Sequence, residues 1–323
     1  MSKYRNALPQ LSSRDVFITD GGIETDLIFH HGMELPSFAS FVLLQDEKGF
    51  EALRNYFRGY AEIARNEKVG LVLEAATWRS NPGWGKQLGY SESDLEDINR
   101  KAIDMLVDFR KEYETEDTKV VISGCLGPRG DGYSPSNVMS AQEAEKYHSV
   151  QINTFKQTEA DLVTAITMNY VEEALGIVQA AKSFGMPVVI SFTVETDGKL
   201  PTGQTLKDAI EQVDKETGNY PAYYMINCAH PSHFADVLAS GEVWAERIGG
   251  IRANASKKSH AELDFSVALD EGNPAELGQD YIVLFDKLKN LTVLGGCCGT
   301  DARHIAEICK SALQHRNQVS LSV

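Results

Sequence analysis

No apolar run in the 323-residue chain is long enough to span a bilayer, and the opening stretch MSKYRNALPQLSSRD lacks the apolar core of a secretory leader. A cytoplasmic protein with no membrane partner is therefore expected. Basic clusters are scarce as well. With 31 Lys and Arg against 46 Asp and Glu the formal net charge is -15, and the densest basic run is only Lys257-Lys258. Nucleic-acid binding normally rests on Lys/Arg clusters that neutralise phosphates, so no nucleic-acid partner is expected. Cysteine is sparse, at five residues: Cys125, Cys228, Cys297, Cys298 and Cys309. In a reducing compartment these do not form a disulfide framework, which leaves burial, metal ligation or thiol chemistry. No Ser-His-Asp pattern, internal repeat, low-complexity tract or linker rich in Pro, Gly or Ser is evident. The only phosphate-loop cue is the pair Gly249-Gly250, without a glycine-rich loop of recognised form.

What is present is a soluble globular composition, 42% hydrophobic and 24% charged, in a length that suits two ordinary domains or one large barrel. Eight short apolar runs read as strands, beginning at Asp15, Val69, Lys119, Ala160, Met186, Ala222, Arg247 and Leu291. Between them lie amphipathic stretches with apolar residues three and four apart, such as 50–67 and 91–113. Another stretch opens with Ser140-x-x-Glu143, a helix-capping pattern. The segment 79–90, RSNPGWGKQLGY, reads as a loop over a strand end. This alternation predicts a single α/β domain over 1–323, a (β/α)8 TIM barrel whose active site gathers at the C-terminal ends of its strands. There the pattern would bring together Asp20-Gly21-Gly22 after the first strand, Thr77 after the second, Cys228 after the sixth and Cys297-Cys298 after the eighth.

Adjacent cysteines on an extended strand point to opposite faces, so both can reach one metal only where the backbone bends. Gly295, Gly296 and Gly299 in VLGGCCGT offer that freedom, and Cys228 is the best third ligand. Three thiolates leave the fourth position of a tetrahedral Zn²⁺ open, as in a catalytic site. The ensemble is a net anion, so a substrate thiol joining it would stay deprotonated at neutral pH yet remain electron-rich. The alternative is a tight turn carrying two small buried residues. Cys125 and Cys309 lack the glycine frame and read as core. His230 is a rival ligand that reads better as a satisfied loop histidine.

These motifs resemble those of the homocysteine S-methyltransferase family over nearly the whole chain. DGGIETDL from Asp20 is similar to the family's opening motif, EAATW from Glu74 to its Glu-Thr-Asn-Thr-Phe, and GCLGPRG from Gly124 to its Gly-Ser-x-Gly-Pro-x-Gly. SFTVETDGKLPTGQ from Ser191 resembles its Ser-Phe strand, INCAHP its Asn-Cys, and GGCCGTDARHI its C-terminal signature. The resemblance implies Zn²⁺ held by Cys228, Cys297 and Cys298, with homocysteine sulfur as the fourth ligand. It also implies that Asp20, Gly21, Gly22 and Thr77 hold the amino acid portion. One departure stands out. The resemblance implies a Glu after the fourth strand that binds the homocysteine ammonium, and this chain has Ile166 there, followed by Thr167. Either Asp20 or Glu24 compensates, or the acceptor is a different thiol; Glu172 and Glu173 are poorly placed substitutes.

The implied reaction is attack of the homocysteine thiolate on the methyl group of an onium donor, giving methionine. No catalytic residue beyond the zinc-held thiolate is demanded, because a sulfonium donor departs as a neutral thioether. S-methylmethionine is the first expected donor, ahead of S-adenosylmethionine or a betaine-like compound; the rings of Trp78 and Trp84 either face its cation or pack their own loop. Two alternatives remain: an S-methyltransferase for a different small thiol or selenol, and a noncatalytic zinc-stabilised binding protein. The sequence leaves the oligomeric state open.

Overall fold

In the computed structural model, which describes residues 1–238, 241–266 and 268–321, eight parallel strands close into a barrel in simple sequential order, with β1 pairing both β2 and β8. The strands are β1 Phe17–Ile18, β2 Gly70–Glu74, β3 Val120–Leu126, β4 Leu162–Met168, β5 Val188–Thr193, β6 Tyr223–Asn227, β7 Ile248–Ala253 and β8 Val293–Gly296. Each falls within one of the eight expected runs or within two residues of its end. The single domain expected over 1–323 extends at its end to 322–323, which lie outside the described residues.

Every strand is buried on both faces, which is why all read as nearly continuous apolar runs. Alternation along the strands then separates the barrel interior into layers. Phe17, Val72, Val121, Leu162, Val189, Tyr223, Met225 and Val293 form an apolar plug, closed from below by Leu8 of the N-terminal segment. Two residues further along several strands the inward side chain turns polar: Glu74 follows Val72, Ser123 follows Val121, Thr164 follows Leu162 and Ser191 follows Val189. The barrel is thus hydrophobic at its base and polar towards the C-terminal strand ends.

Long helices cover the outside at Glu47–Glu67, Glu92–Tyr113, Ala141–Lys156, Val171–Ser183, Leu206–Thr217, Pro274–Lys287 and Ala302–Leu321. The Ser140/Glu143 capping box forms as its spacing predicts. After β6 the described residues form a four-residue helix at Pro231–Phe234, capped by the His230 side chain, and short 3-10 turns at Ala235–Val237 and Ala245–Arg247. The segment 79–90 differs from the expected loop. It contains a helix at Pro82–Gln87, because Asn81 accepts a hydrogen bond from the Trp84 amide and Pro82 occupies a first-turn position that needs no N–H. Among the described residues no helix is long and apolar enough to cross a membrane.

Candidate metal centre

The loops after β6 and β8 meet over the polar end of the barrel. Cys228 leaves β6 with φ 54°, a left-handed conformation uncommon for a residue with a side chain, and its amide donates to the Arg252 carbonyl. The chain after β8 turns at once, with the Thr300 amide donating to the Cys297 carbonyl at 3.1 Å. The glycines contribute differently from the expectation. Only Gly299 has positive φ, at 79°. Gly295 and Gly296 lie within β8 and serve close approach: a Cβ on Gly295 would stand 1.8 Å from Thr19 Oγ1, and one on Gly296 2.0 Å from Thr300 Oγ1. Gly22 is fitted likewise against the Cys297 carbonyl, where a Cβ would stand 2.5 Å away.

This geometry gathers the Sγ atoms of Cys228, Cys297 and Cys298 so that all lie within 4.8 Å of one another. Thiolates at about 2.3 Å from a tetrahedral zinc are separated by about 3.8 Å, so the donor set suits that ion in number, chemistry and spacing. The sulfurs have polar neighbours: Thr167 Oγ1 stands 4.0 Å from Cys228 Sγ, Asn227 Nδ2 4.0 Å from Cys297 Sγ, and Tyr133 Oη 3.9 Å from Cys298 Sγ. Thr167, itself at φ 66°, is held by Asn227, whose side chain accepts from the Thr167 amide and donates to its hydroxyl. Tyr133 packs on His260 at 4.2 Å between ring centroids, and His260 Nε2 lies 2.5 Å from the Cys228 carbonyl. One expectation is corrected. Cys228 and Cys297 are joined as a disulfide, because their strand ends place the Cα atoms 5.4 Å apart, inside the span a disulfide bridges. Reduction returns both sulfurs to the cluster. Cys125 and Cys309 are buried as expected, and burial pushes the Cys309 thiol up to about 12.

The three cysteines line a cavity of about 400 Å³ together with Asp20, Gly21, Gly22, Glu24, Glu74 and Ile166. Thr77 is not among its lining residues; its hydroxyl donates to the Cys125 carbonyl at 2.8 Å, tying β2 to β3. Asp20 is already engaged: Oδ1 stands 2.7 Å from Arg252 Nη1 as an ion pair outside hydrogen-bond geometry, and Oδ2 accepts from Tyr56 at 3.0 Å. The Gly22 amide donates to the Thr300 carbonyl at 3.0 Å. Arg252 also donates to the carbonyls of Gly21 and Gly296, joining β1, β7 and β8 beneath the cysteines. Glu24 accepts from Ser40 Oγ at 2.8 Å, and burial pushes its carboxyl up to about 7. Glu74 is likewise pushed up to about 7 by burial, against the opposing pull of Arg252. Trp78 and Trp84 hold a cation between them, but it is Arg79, whose guanidinium carbon lies 3.9 and 3.8 Å from their ring centroids. Residue-by-residue reading missed Arg252, Asn227 and Tyr133 as site residues. The available signal was a charge or an amide ending an apolar strand, in GGIRA and YYMIN.

A wider cavity of about 850 Å³ lies beside the first loop and includes Asp26, His30 and Asp301. Its acidic groups are internally paired, His30 with Asp26 at 2.8 Å and Arg303 with Asp301 at 2.5 Å, so they form an ion-pair network. His230 is satisfied by the Ser232 amide, and burial lowers its pKa to about 4, keeping the ring neutral.

A sequence profile described as homocysteine S-methyltransferase matches residues 17–312. Crystal structures of the homocysteine methyltransferase MmuM from Escherichia coli share the fold. The oxidized form has TM-score 0.74 at 16% identity, covering 95% of this chain and 99% of that one. The metallated form has TM-score 0.70 at 17% identity, covering 93% and 97%. No curated protein matches the chain by sequence.

Proposed function

This chain belongs to the homocysteine S-methyltransferase family and is a methyltransferase, and from that premise we propose that it moves a methyl group from a small onium donor to the sulfur of homocysteine with zinc as cofactor. The observation that carries the reading is the convergence of Cys228, Cys297 and Cys298 in the lining of one cavity. Bound by these three cysteines, zinc would supply the Lewis acidity that keeps an acceptor thiol deprotonated at neutral pH. The metallated form of the similar MmuM barrel accords with a metal at this place.

The chain's own residues do the rest. Asn227 and Thr167 fix the sulfur-bearing loops from below, and Tyr133 covers Cys298 from the loop after β3. The lining presents five carboxylates, from Asp20, Glu24, Glu74, Asp131 and Asp270, against the guanidinium groups of Arg79 and Arg252. Such a lining favours a cationic donor and an acceptor that carries an ammonium group. With Arg79 between Trp78 and Trp84, the aromatic surface open to an onium group includes Phe29 and Phe38, which line the cavity and are 47% and 52% exposed. In the transfer, the acceptor sulfur forms its bond to the methyl carbon as the donor's bond to that carbon breaks. A sulfonium donor leaves as a neutral thioether, so no proton has to move. Confinement in a near-attack arrangement supplies much of the acceleration.

S-methylmethionine is our first donor, with S-adenosylmethionine and betaine behind it. The thiols must stay reduced, so we place the enzyme in the cytoplasm, working as one barrel domain. The test is a matrix of donors and small thiols incubated with reduced, zinc-loaded protein and read by mass spectrometry, with a chelated control. Methionine formed only with metal supports the reading. A methylated product from another thiol and none from homocysteine overturns the acceptor.

A further inference from the structure

The two carboxylates of the first loop are accounted for, Asp20 by Arg252 and Tyr56 and Glu24 by Ser40. Glu74 is different. It ends β2 pointing into the barrel, is only 4% exposed, lines the same cavity as the three sulfurs, and keeps Oε2 buried with no hydrogen-bond partner among the described residues. An unsatisfied buried carboxylate oxygen costs more than a neutral one, so a charged oxygen left open towards a cavity marks a place for a donor. The charge balance agrees: two carboxylates, Asp20 and Glu74, act on the buried Arg252, leaving the group short of one cation. Position agrees too. Glu74 pairs in register with Ser123, Ser123 Oγ shares a 2.8 Å hydrogen bond with Thr164 Oγ1, and Thr164 precedes Ile166 by two residues on the inward face of β4. The negative charge missing at Ile166 thus has a counterpart one layer deeper in the barrel, on β2.

We propose that Glu74 is the anionic partner of the acceptor's ammonium group and sets the selectivity of this chain for an amino-acid thiol. The assignment rests on homocysteine being the acceptor. It makes Glu74 a binding residue whose Oε2 accepts from the ammonium, while Ile166 packs as an apolar wall.

The experiment compares L-homocysteine with 4-mercaptobutanoate, the same thiol acid with hydrogen in place of the ammonium. Reduced, zinc-loaded full-length protein is assayed with whichever of S-methylmethionine, S-adenosylmethionine or betaine supports turnover. Wild type is expected to prefer homocysteine in kcat/KM. In Glu74→Gln that preference should fall about 30-fold or more, mainly through KM, since the uncharged amide cannot replace a buried counter-charge. Adding Ile166→Glu to that variant should restore part of the preference. Glu74→Asp, which keeps the charge near Arg252 but withdraws it by one methylene, is the second variant if the amide does not fold, and it too should weaken homocysteine selectively. An equal loss for both thiols, or an unchanged preference, overturns the subsite while leaving the reaction intact. Wild-type protein that methylates no homocysteine with any donor overturns the reaction, and the subsite with it.

Discussion

Replacing Arg252 by Met should be among the most damaging single changes in the barrel interior, and the loss should depend on pH. The guanidinium is buried, stands 2.7 Å from Asp20, acts on Glu74, and donates to the carbonyls of Gly21 and Gly296. At 2.7 Å and an effective dielectric of about 20, the Asp20 pair alone amounts to about 6 kcal/mol of Coulomb energy. Dehydration of the arginine, also removed by the mutation, offsets part of this, so the net cost expected for breaking one side of a buried pair is about 3–5 kcal/mol. With an m-value of about 3 kcal/mol/M for a chain of this size, the urea midpoint should fall by roughly 1–1.7 M. Glu74 sits at about 7, raised by burial and restrained by Arg252, so losing the guanidinium raises it further. A carboxyl raised in the folded state contributes its stability fully below its unfolded value near 4.5, and that contribution is lost as pH climbs through the folded value. The deficit of Arg252→Met should therefore be larger at pH 8 than at pH 5, and Asp20→Asn should recover part of it. A deficit under about 1 kcal/mol, or one equal at both pH values, would refute the ion-pair account.

Other consequences concern single contacts. Gly295→Ala places a methyl 1.8 Å from Thr19 Oγ1 in the buried β1–β8 contact, so soluble yield or the urea midpoint should collapse, with partial rescue by Thr19→Ala. Arg79→Met removes the cation between Trp78 and Trp84; a loss of about 1–2 kcal/mol and a shift in tryptophan emission are expected, whereas Trp244 is unaffected. Glu24, pushed up to about 7 by burial, binds a proton in the folded protein that the unfolded chain releases, so its stabilising contribution declines between about pH 4.5 and 7. Glu24→Gln should flatten the stability profile in that window, as followed by thermal unfolding across pH. Cys298→Ala should lower zinc content and abolish methyl transfer while far-ultraviolet circular dichroism stays that of a folded barrel.

The barrel was legible because its strands are buried on both faces and separated by amphipathic helices, a pattern that survives without tertiary information. The cysteine cluster was legible because glycines frame it, although two of those glycines act by allowing close packing and not by their dihedral freedom. What escaped was the polar layer. Glu74, Ser123, Thr164 and Arg252 are single polar residues in apolar runs, and only strand register shows that they share the barrel interior. For Trp78 and Trp84 two readings stood open, a ligand cation or packing of the loop, and a neighbouring side chain, Arg79, takes the place between the rings. Asp20 was offered beside Glu24 as the ammonium partner, and Arg252 on β7, six strands later in the chain, is what engages it.

The most direct test of the whole account is zinc K-edge X-ray absorption on the reduced, zinc-loaded protein, before and after adding L-homocysteine. Three sulfur scatterers at about 2.3 Å, rising to four with homocysteine and unchanged by L-homoserine, is the predicted result. A protein that binds no zinc after reduction, or a sulfur count that stays below three or does not respond to homocysteine, would contradict it.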